Sequence, residues 1–173
     1  ELGAKWQISP GVFTSVALYQ LDRHNVAVSD PANPGQLMLI DAQRSQGLEW
    51  EITGQITKHL QLLAGYAYQD AQLTKTISAT AQKGAELPLV PEHSAYVWSR
   101  WDMNPNGGFG LGINSQSAVY TSTNNLVSLP GFARVDAALY FTQSELLKWQ
   151  LNIENLTDRH YYSTANNDNN ISI

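Results

Sequence analysis

The residues able to do chemistry are few and scattered. His24, His59, His93 and His160 stand far apart and show none of the short spacings that metal sites use. No cysteine occurs among the 173 residues, which excludes thiolate zinc sites, disulfides and cysteine nucleophiles. Ser, His and Asp are present without a nucleophile elbow, so the sequence does not read as an enzyme. Gly107-Gly108-Phe109-Gly110-Leu111-Gly112 imitates a phosphate loop, but its glycines alternate with apolar residues as they do in a strand. Binding chemistry is better represented. Tyr120, Arg159, His160, Tyr161 and Tyr162 bring together cationic and aromatic groups that can hold a bulky anionic ligand by charge and ring-face contact. The same tyrosines would also suit an interfacial layer, with ring in lipid and hydroxyl in water.

These groups must be positioned by strands. Leu2, Ala4, Trp6 and Ile8 alternate with Glu1, Gly3, Lys5 and Gln7, the period of a strand with one apolar and one polar face. The split recurs at Leu48, Trp50 and Ile52, at Leu60 to Tyr68, at Phe109 to Ile113, at Val135 to Phe141 and at Trp149 to Ile153. Val12 to Arg23 and His93 to Met103 have strand composition with an open facing, because Tyr19, Tyr96 and Trp98 suit either side. That makes about eight antiparallel strands, with lengths near the ~9–11 residues of a bilayer-crossing strand. No apolar run exceeds the length of Leu37 to Ile40 or Ala137 to Phe141, so no helix spans a membrane. The net charge of -5 and the 14% charged content, without a basic stripe, exclude a nucleic-acid binder.

Connections alternate in length. Ser9-Pro10-Gly11, Thr57-Lys58-His59, Asn104 to Gly108 and Gln143 to Lys148 are tight turns, whereas His24 to Ala42, Ala71 to Glu92 and Thr121 to Gly131 are long polar segments. Short turns at one rim and long loops at the other match an outer-membrane β-barrel. Trp6, Trp101, Phe109 and Trp149 fall near the tight turns, and Tyr19, Tyr68, Tyr120, Tyr161 and Tyr162 near the long loops, as two girdles. Arg44, Glu49, Glu51, Arg134, Asp136 and Tyr140 are then expected to face a wet lumen. There they either line a transport path or contact a plug, or else form a paired-charge network that only holds the wall in shape. Both ends of the chain are expected at the long-loop rim, so that at least one strand is missing from each side and closure needs more chain.

The last third resembles the C-terminal end of TonB-dependent siderophore receptors. The resemblance rests on Asn152-Ile153-Glu154-Asn155-Leu156-Thr157-Asp158 followed by Tyr161-Tyr162. Weaker matches precede it in order: Arg44 to Glu49, Leu87-Pro88 with Val90 to His93, and Gly131 to Asp136. The resemblance implies an all-β fold, an antiparallel transmembrane barrel fragment, with residues 1–173 supplying about eight of roughly twenty-two strands. It also implies that the plug domain and the last strand lie outside the chain. The family's function would be uptake of a ferric siderophore across the outer membrane of a Gram-negative bacterium, driven by TonB with ExbB and ExbD through that plug. Outer-membrane lipid and lipopolysaccharide would surround it, with iron carried as cargo and no cofactor bound directly. The Asn-rich Asn166 to Asn170 is similar to catecholate receptors, whereas Ile171-Ser172-Ile173 departs from the final strand the family would place there. The alternative is a small outer-membrane barrel with a structural, adhesive or enzymatic role.

Overall fold

The structure, a computed structural model, describes residues 1–24, 26–29, 37–40, 42–166, 168 and 170–172. In chain order the strands are β1 (Leu2–Ser9), β2 (Val12–Arg23), β3 (Val26–Ser29), β4 (Leu37–Ile40), β5 (Gln43–Thr57), β6 (Leu60–Leu73), β7 (His93–Asn104), β8 (Gly107–Gln116), β9 (Val119–Tyr120), β10 (Ser128–Leu129), β11 (Phe132–Thr142), β12 (Lys148–Ile153), β13 (Thr164–Asn166) and β14 (Asn170–Ser172). Eight of them form one antiparallel sheet in the order β1-β2-β5-β6-β7-β8-β11-β12. The remaining six pair as three small hairpins: β3–β4 and β9–β10 within long connections, and β13–β14 after β12.

Register defines the faces, because directly paired residues of antiparallel strands point to the same side. Leu2, Ala4 and Trp6 pair with Leu18, Val16 and Thr14. The same face continues through Leu48, Trp50 and Ile52, Leu62 to Tyr68 at every second residue, Val97 and Trp101, and Phe109, Leu111 and Ile113. It ends on Val135 to Phe141, again alternating, and on Trp149, Leu151 and Ile153. No soluble core hides this face. Trp6 is 46% exposed, Leu111 40% and Leu139 53%, and among the described residues only Leu73 is a large side chain that is fully buried. A sheet that leaves one entire apolar face uncovered is built for a hydrocarbon surrounding. The girdle expected near the tight turns is present on it, with Trp101 and Phe109 stacked at 5.0 Å.

At the short rim, Pro10 presets one turn dihedral and Gly11 takes φ of +79°, which a residue with a Cβ takes only with strain. The register slips by one residue beside three of these turns, leaving Ile8, Ile56 and Met103 as the extra residues of β-bulges. At the opposite rim the strands run further than alternation suggests. β5 has 15 residues and β6 has 14, well beyond the ~9–11 that cross a bilayer. Residues 71–73, expected in a loop, therefore belong to β6, paired with Ser45, Arg44 and Gln43. β12 ends at Ile153, where the alternation ends, and a turn begins at Asn155.

A charge on the uncovered face separates this architecture from a soluble one. Leu111→Arg in the intact receptor should lower the unfolding free energy in lipid vesicles by about 2–4 kcal/mol. Asn152→Arg, on the polar face, should stay within about 0.5 kcal/mol. Urea titration followed by tryptophan fluorescence reads both.

A polar wall and its loop rim as candidate ligand surface

The second face carries Lys5, Ser15, Glu51, Gly65, Tyr96, Asn114 and Arg134 in one row of paired positions. Glu49 and Asp136 lie on the same face, one strand step to either side. Glu1, Lys5, Glu49, Glu51 and Tyr96 border a shallow hollow of about 600 Å³. Tyr96 donates its hydroxyl to Glu51 Oε2 at 3.2 Å. Towards the short rim, the Arg100 guanidinium sits 4.2 Å over the Tyr140 ring and bonds Asp102 at 2.9 Å.

Three aromatic side chains on this face lie flat against glycines of the neighbouring strand. Tyr19 is paired with Gly47, Tyr96 with Gly65 and Trp98 with Gly112. A Cβ on Gly112 would stand 2.2 Å from Trp98 Cε3, one on Gly110 2.6 Å from Cζ2, and one on Gly65 2.5 Å from Tyr96 Cε1. The facing of these three aromatics, open in the sequence, is thus polar-side, and Tyr19 is not a girdle residue. The strand glycines are there because a ring occupies the space of their side chains.

At the long-loop end of β11, Asp136 is a hub. Its Oδ2 accepts from Arg134 Nη2 at 2.8 Å and Nε at 3.2 Å and from Asn114 Nδ2 at 3.2 Å. Its Oδ1 accepts from the Asn155 backbone N–H at 2.8 Å. The next residue donates its own N–H, Leu156 to Val135 O, at 2.7 Å. Asn155 and Asp158 take φ of +52° and +49°, a left-handed conformation that Asn and Asp tolerate better than other side-chain-bearing residues. The Asn155 amide brackets Arg159, accepting from its N–H at 2.9 Å and donating to its C=O at 3.1 Å. Past this turn, Tyr161 stacks on Phe132 with centroids 4.3 Å apart and accepts from Arg134 Nη1 at 3.3 Å.

The long loops interlock above the wall. Leu89 N–H donates to Tyr120 O at 2.8 Å, and Asn125 and Glu86 exchange bonds of 2.8 and 3.1 Å. Val119, Leu129 and Ala165 share a small buried cluster joining β9–β10 to β13. Thr121 Oγ1 and Asn124 Nδ2 both donate to the Asp168 carboxylate, the latter at 2.7 Å. The Thr121 hydroxyl and then the Asn124 amide hold that carboxyl below its ordinary value of 3.8, because they bond its charged form.

The predicted residues divide as follows. Glu49, Glu51, Arg134, Asp136 and Tyr140 do share the polar face. Arg44 does not: its register with Asp22 and Gln72 puts it on the side of Leu48 and Trp50, above the apolar band. There it bonds Asp22 at 2.7 Å, beside the Gln46–Asp70 pair at 3.1 Å. Parity decides this, since Arg44 is an even number of residues from Leu48 and Glu49 is not. Arg159, His160 and Tyr162 are exposed on the segment beyond the Asn155 turn, and Tyr161 turns onto the polar face. Tyr120 stands apart on the β9–β10 hairpin, tied to that segment's continuation through Ala165 and Asp168. Phe132, Asn114 and Asn155 were not singled out as site residues. The Asn155-Leu156 pair and the even spacing of Phe132, Arg134 and Asp136 were the available signals. Among the described residues, no three His, Asp or Glu groups are arranged to hold a metal.

A family model described as TonB dependent receptor-like, beta-barrel, matches residues 1–156. The chain belongs to this TonB-dependent receptor family. Over 97% of its length it is 30% identical to the metal-pseudopaline receptor CntO of Pseudomonas aeruginosa, covering 24% of that protein. It is 26% identical to the probable TonB-dependent siderophore receptor PiuA of Acinetobacter baumannii over 95% of the chain and 23% of the relative. The crystal structure of the siderophore receptor PiuA superposes with a TM-score of 0.85 at 26% identity, over 98% of this chain and 25% of that one. The closed form of the ferric-catecholate import receptor Fiu of Escherichia coli gives 0.79 at 24%, over 98% of this chain and 24% of that one, a likeness of fold. The chain thus spans about a quarter of the length of the receptors it matches. All of them are receptors by name, one of them an import receptor.

Two measurements test the site's construction. Gly112→Ala should cost about 1–3 kcal/mol by overpacking against Trp98. A double-mutant cycle with Trp98→Val should then show a coupling of at least about 0.5 kcal/mol, whereas additivity would remove the ring-on-glycine account. Because the Asp168 value is lowered on folding, its contribution is full above the unfolded carboxylate value near 3.9 and is lost as pH falls through the lower folded value. Hydrogen exchange at Thr121 to Leu126 should accelerate below about pH 4 beyond the intrinsic rate, and Asp168→Asn should abolish that pH dependence.

Proposed function

We propose that this chain is part of the wall and outer rim of a receptor in the outer membrane of a Gram-negative bacterium. There the receptor takes up a ferric siderophore by TonB-dependent transport. The observation that carries the reading is the polar face running unbroken from Arg100 and Tyr140 to the Phe132–Tyr161 stack, with interlocked loops gathered at that end alone. Such a wall backs a wet bore, and such a rim can close over a ligand of siderophore size. The siderophore receptors named among its relatives support it. In this reading Arg159, His160, Tyr161, Tyr162 and Tyr120 supply the cationic and aromatic contacts of the rim. Glu49, Glu51, Arg134, Asp136 and Tyr140 face the bore and the plug that fills it. Plug and closing strand come from the remainder of a longer receptor, and TonB with ExbB and ExbD acts through that plug. Membrane lipid and lipopolysaccharide cover the apolar face.

The relationship to a metal-pseudopaline receptor favours a second reading of the cargo, as a chelate whose metal is not restricted to iron. The test is growth and radiolabelled uptake by a deletion strain supplied with ferric catecholates or with pseudopaline-like chelates of other metals. A tonB-deleted strain serves as the control. Loss of uptake of one chelate class in both strains is expected; unchanged uptake of every class in the receptor deletion would overturn the transport reading.

A further inference from the structure

The turn that ends β12 is fastened to the wall at more points than a loop start requires. Asp136 is only 8% exposed, yet every bond it receives comes from a different level of the local structure: the facing strand through Asn114, its own strand through Arg134, and the turn through Asn155. Both carboxylate oxygens are engaged. Arg134 in turn has a planar fork with more donors than Asp136 can take. Its remaining nitrogen reaches Tyr161 at 3.3 Å and approaches Glu154 Oε2 at 3.7 Å. Asp136 thereby holds the guanidinium in one orientation through Nε and Nη2. So held, the fork points Nη1 at the Tyr161 hydroxyl, with the exposed Glu154 carboxylate beside the same nitrogen.

We propose that Asp136 is a positioning residue which, through Arg134 and the Asn155 turn, fixes Tyr161 against the polar wall and so presets segment 159–162 for the incoming metal chelate. This rests on the reading of that segment as part of the ligand rim. The stack on Phe132 orients the Tyr161 ring, but a stack permits sliding. The Arg134 bond at the hydroxyl and the Asn155 bracket on Arg159 fix both ends of the segment. Arg159, His160 and Tyr162 then stand on a backbone whose course is set before any ligand arrives. In such a preset site the ligand does not have to order the loop, and the intrinsic Kd is not raised through division by a small competent fraction.

The experiment uses the intact receptor carrying a nitroxide at His160→Cys, an exposed site in a segment that has no native cysteine. Spectra are recorded without ligand for the parent and for Asp136→Asn, Arg134→Gln and Tyr161→Phe. Folding of each is checked by heat-modifiable gel migration. Affinity for a ferric catecholate and for a zinc chelate is then measured by tryptophan quenching on unlabelled protein.

The parent label should be largely immobile, and Asp136→Asn and Arg134→Gln should make the mobile component dominant. Tyr161→Phe, which keeps the stack and loses one bond, should fall between. Apparent Kd should rise roughly tenfold where the competent fraction falls to about one tenth. An immobile label in folded Asp136→Asn and Arg134→Gln, or increased mobility with unchanged Kd, would overturn the proposal. A variant that does not fold is replaced by Tyr161→Phe, whose label must then be more mobile than the parent's. If the parent binds no chelate at all, the functional reading fails, and the mobility comparison alone decides the positioning role.

Discussion

In hydrocarbon a peptide group has no water to bond, and each unpaired N–H or C=O costs several kcal/mol. A strand can enter a membrane only with a bonded neighbour on both sides, so the sheet must continue until it closes. The eight-stranded sheet here meets that demand at every internal strand through nearly uninterrupted ladders. From it follow the two-sided residue pattern, the placement of irregular backbone at the rims, and the confinement of long loops to one end. The bulges at Ile8, Ile56 and Met103 sit beside the short turns, where lost pairing is made good by water.

Much of this was legible because period two is a strong signal when one face is lipid. The eight wall strands and the tight turns could be read from alternation and from Pro, Gly and Asn. Strand ends at the long-loop rim could not, because beyond the apolar band both faces are polar and alternation vanishes; residues 43–46 and 70–73 pair there without announcing it. The expected place of Arg44 erred for a related reason. Charge marks the polar face only within the apolar band; above it an outward residue can be charged as freely as an inward one. Tyr19, Tyr96 and Trp98 were ambiguous because an aromatic ring suits either face, and only the glycines opposite them resolve it. The turn after β12 is visible as a motif without its mechanics, since the bond that the Asn155 N–H donates to Asp136 joins residues whose proximity depends on register.

The polar face spends its charges in local pairs. Arg100 has Asp102 and Arg134 has Asp136, each two residues along the same strand. Glu49, Glu51 and Lys5, on one stretch of wall, by contrast have no ion-pair partner among the described residues. The paired charges thus lie on β7 and β11 and the unpaired ones on β1 and β5. Partly exposed pairs of this kind contribute little stability by themselves, of the order of 0–1 kcal/mol. Their weight lies in orientation: a guanidinium locked on a carboxylate has a fixed direction for its spare donors, and the loops above inherit that direction.

The rings laid over Gly47, Gly65, Gly110 and Gly112 have one more effect. A Tyr or Trp standing on its strand would project its whole length from the polar face, whereas one lying flush takes up little more than a ring's thickness. By giving up side chains on the neighbouring strand, the wall keeps its aromatic surface without adding relief to the polar face. Glycine here acts as a spacer perpendicular to the sheet, and the height of the polar surface is set partly by residues that have no side chain at all.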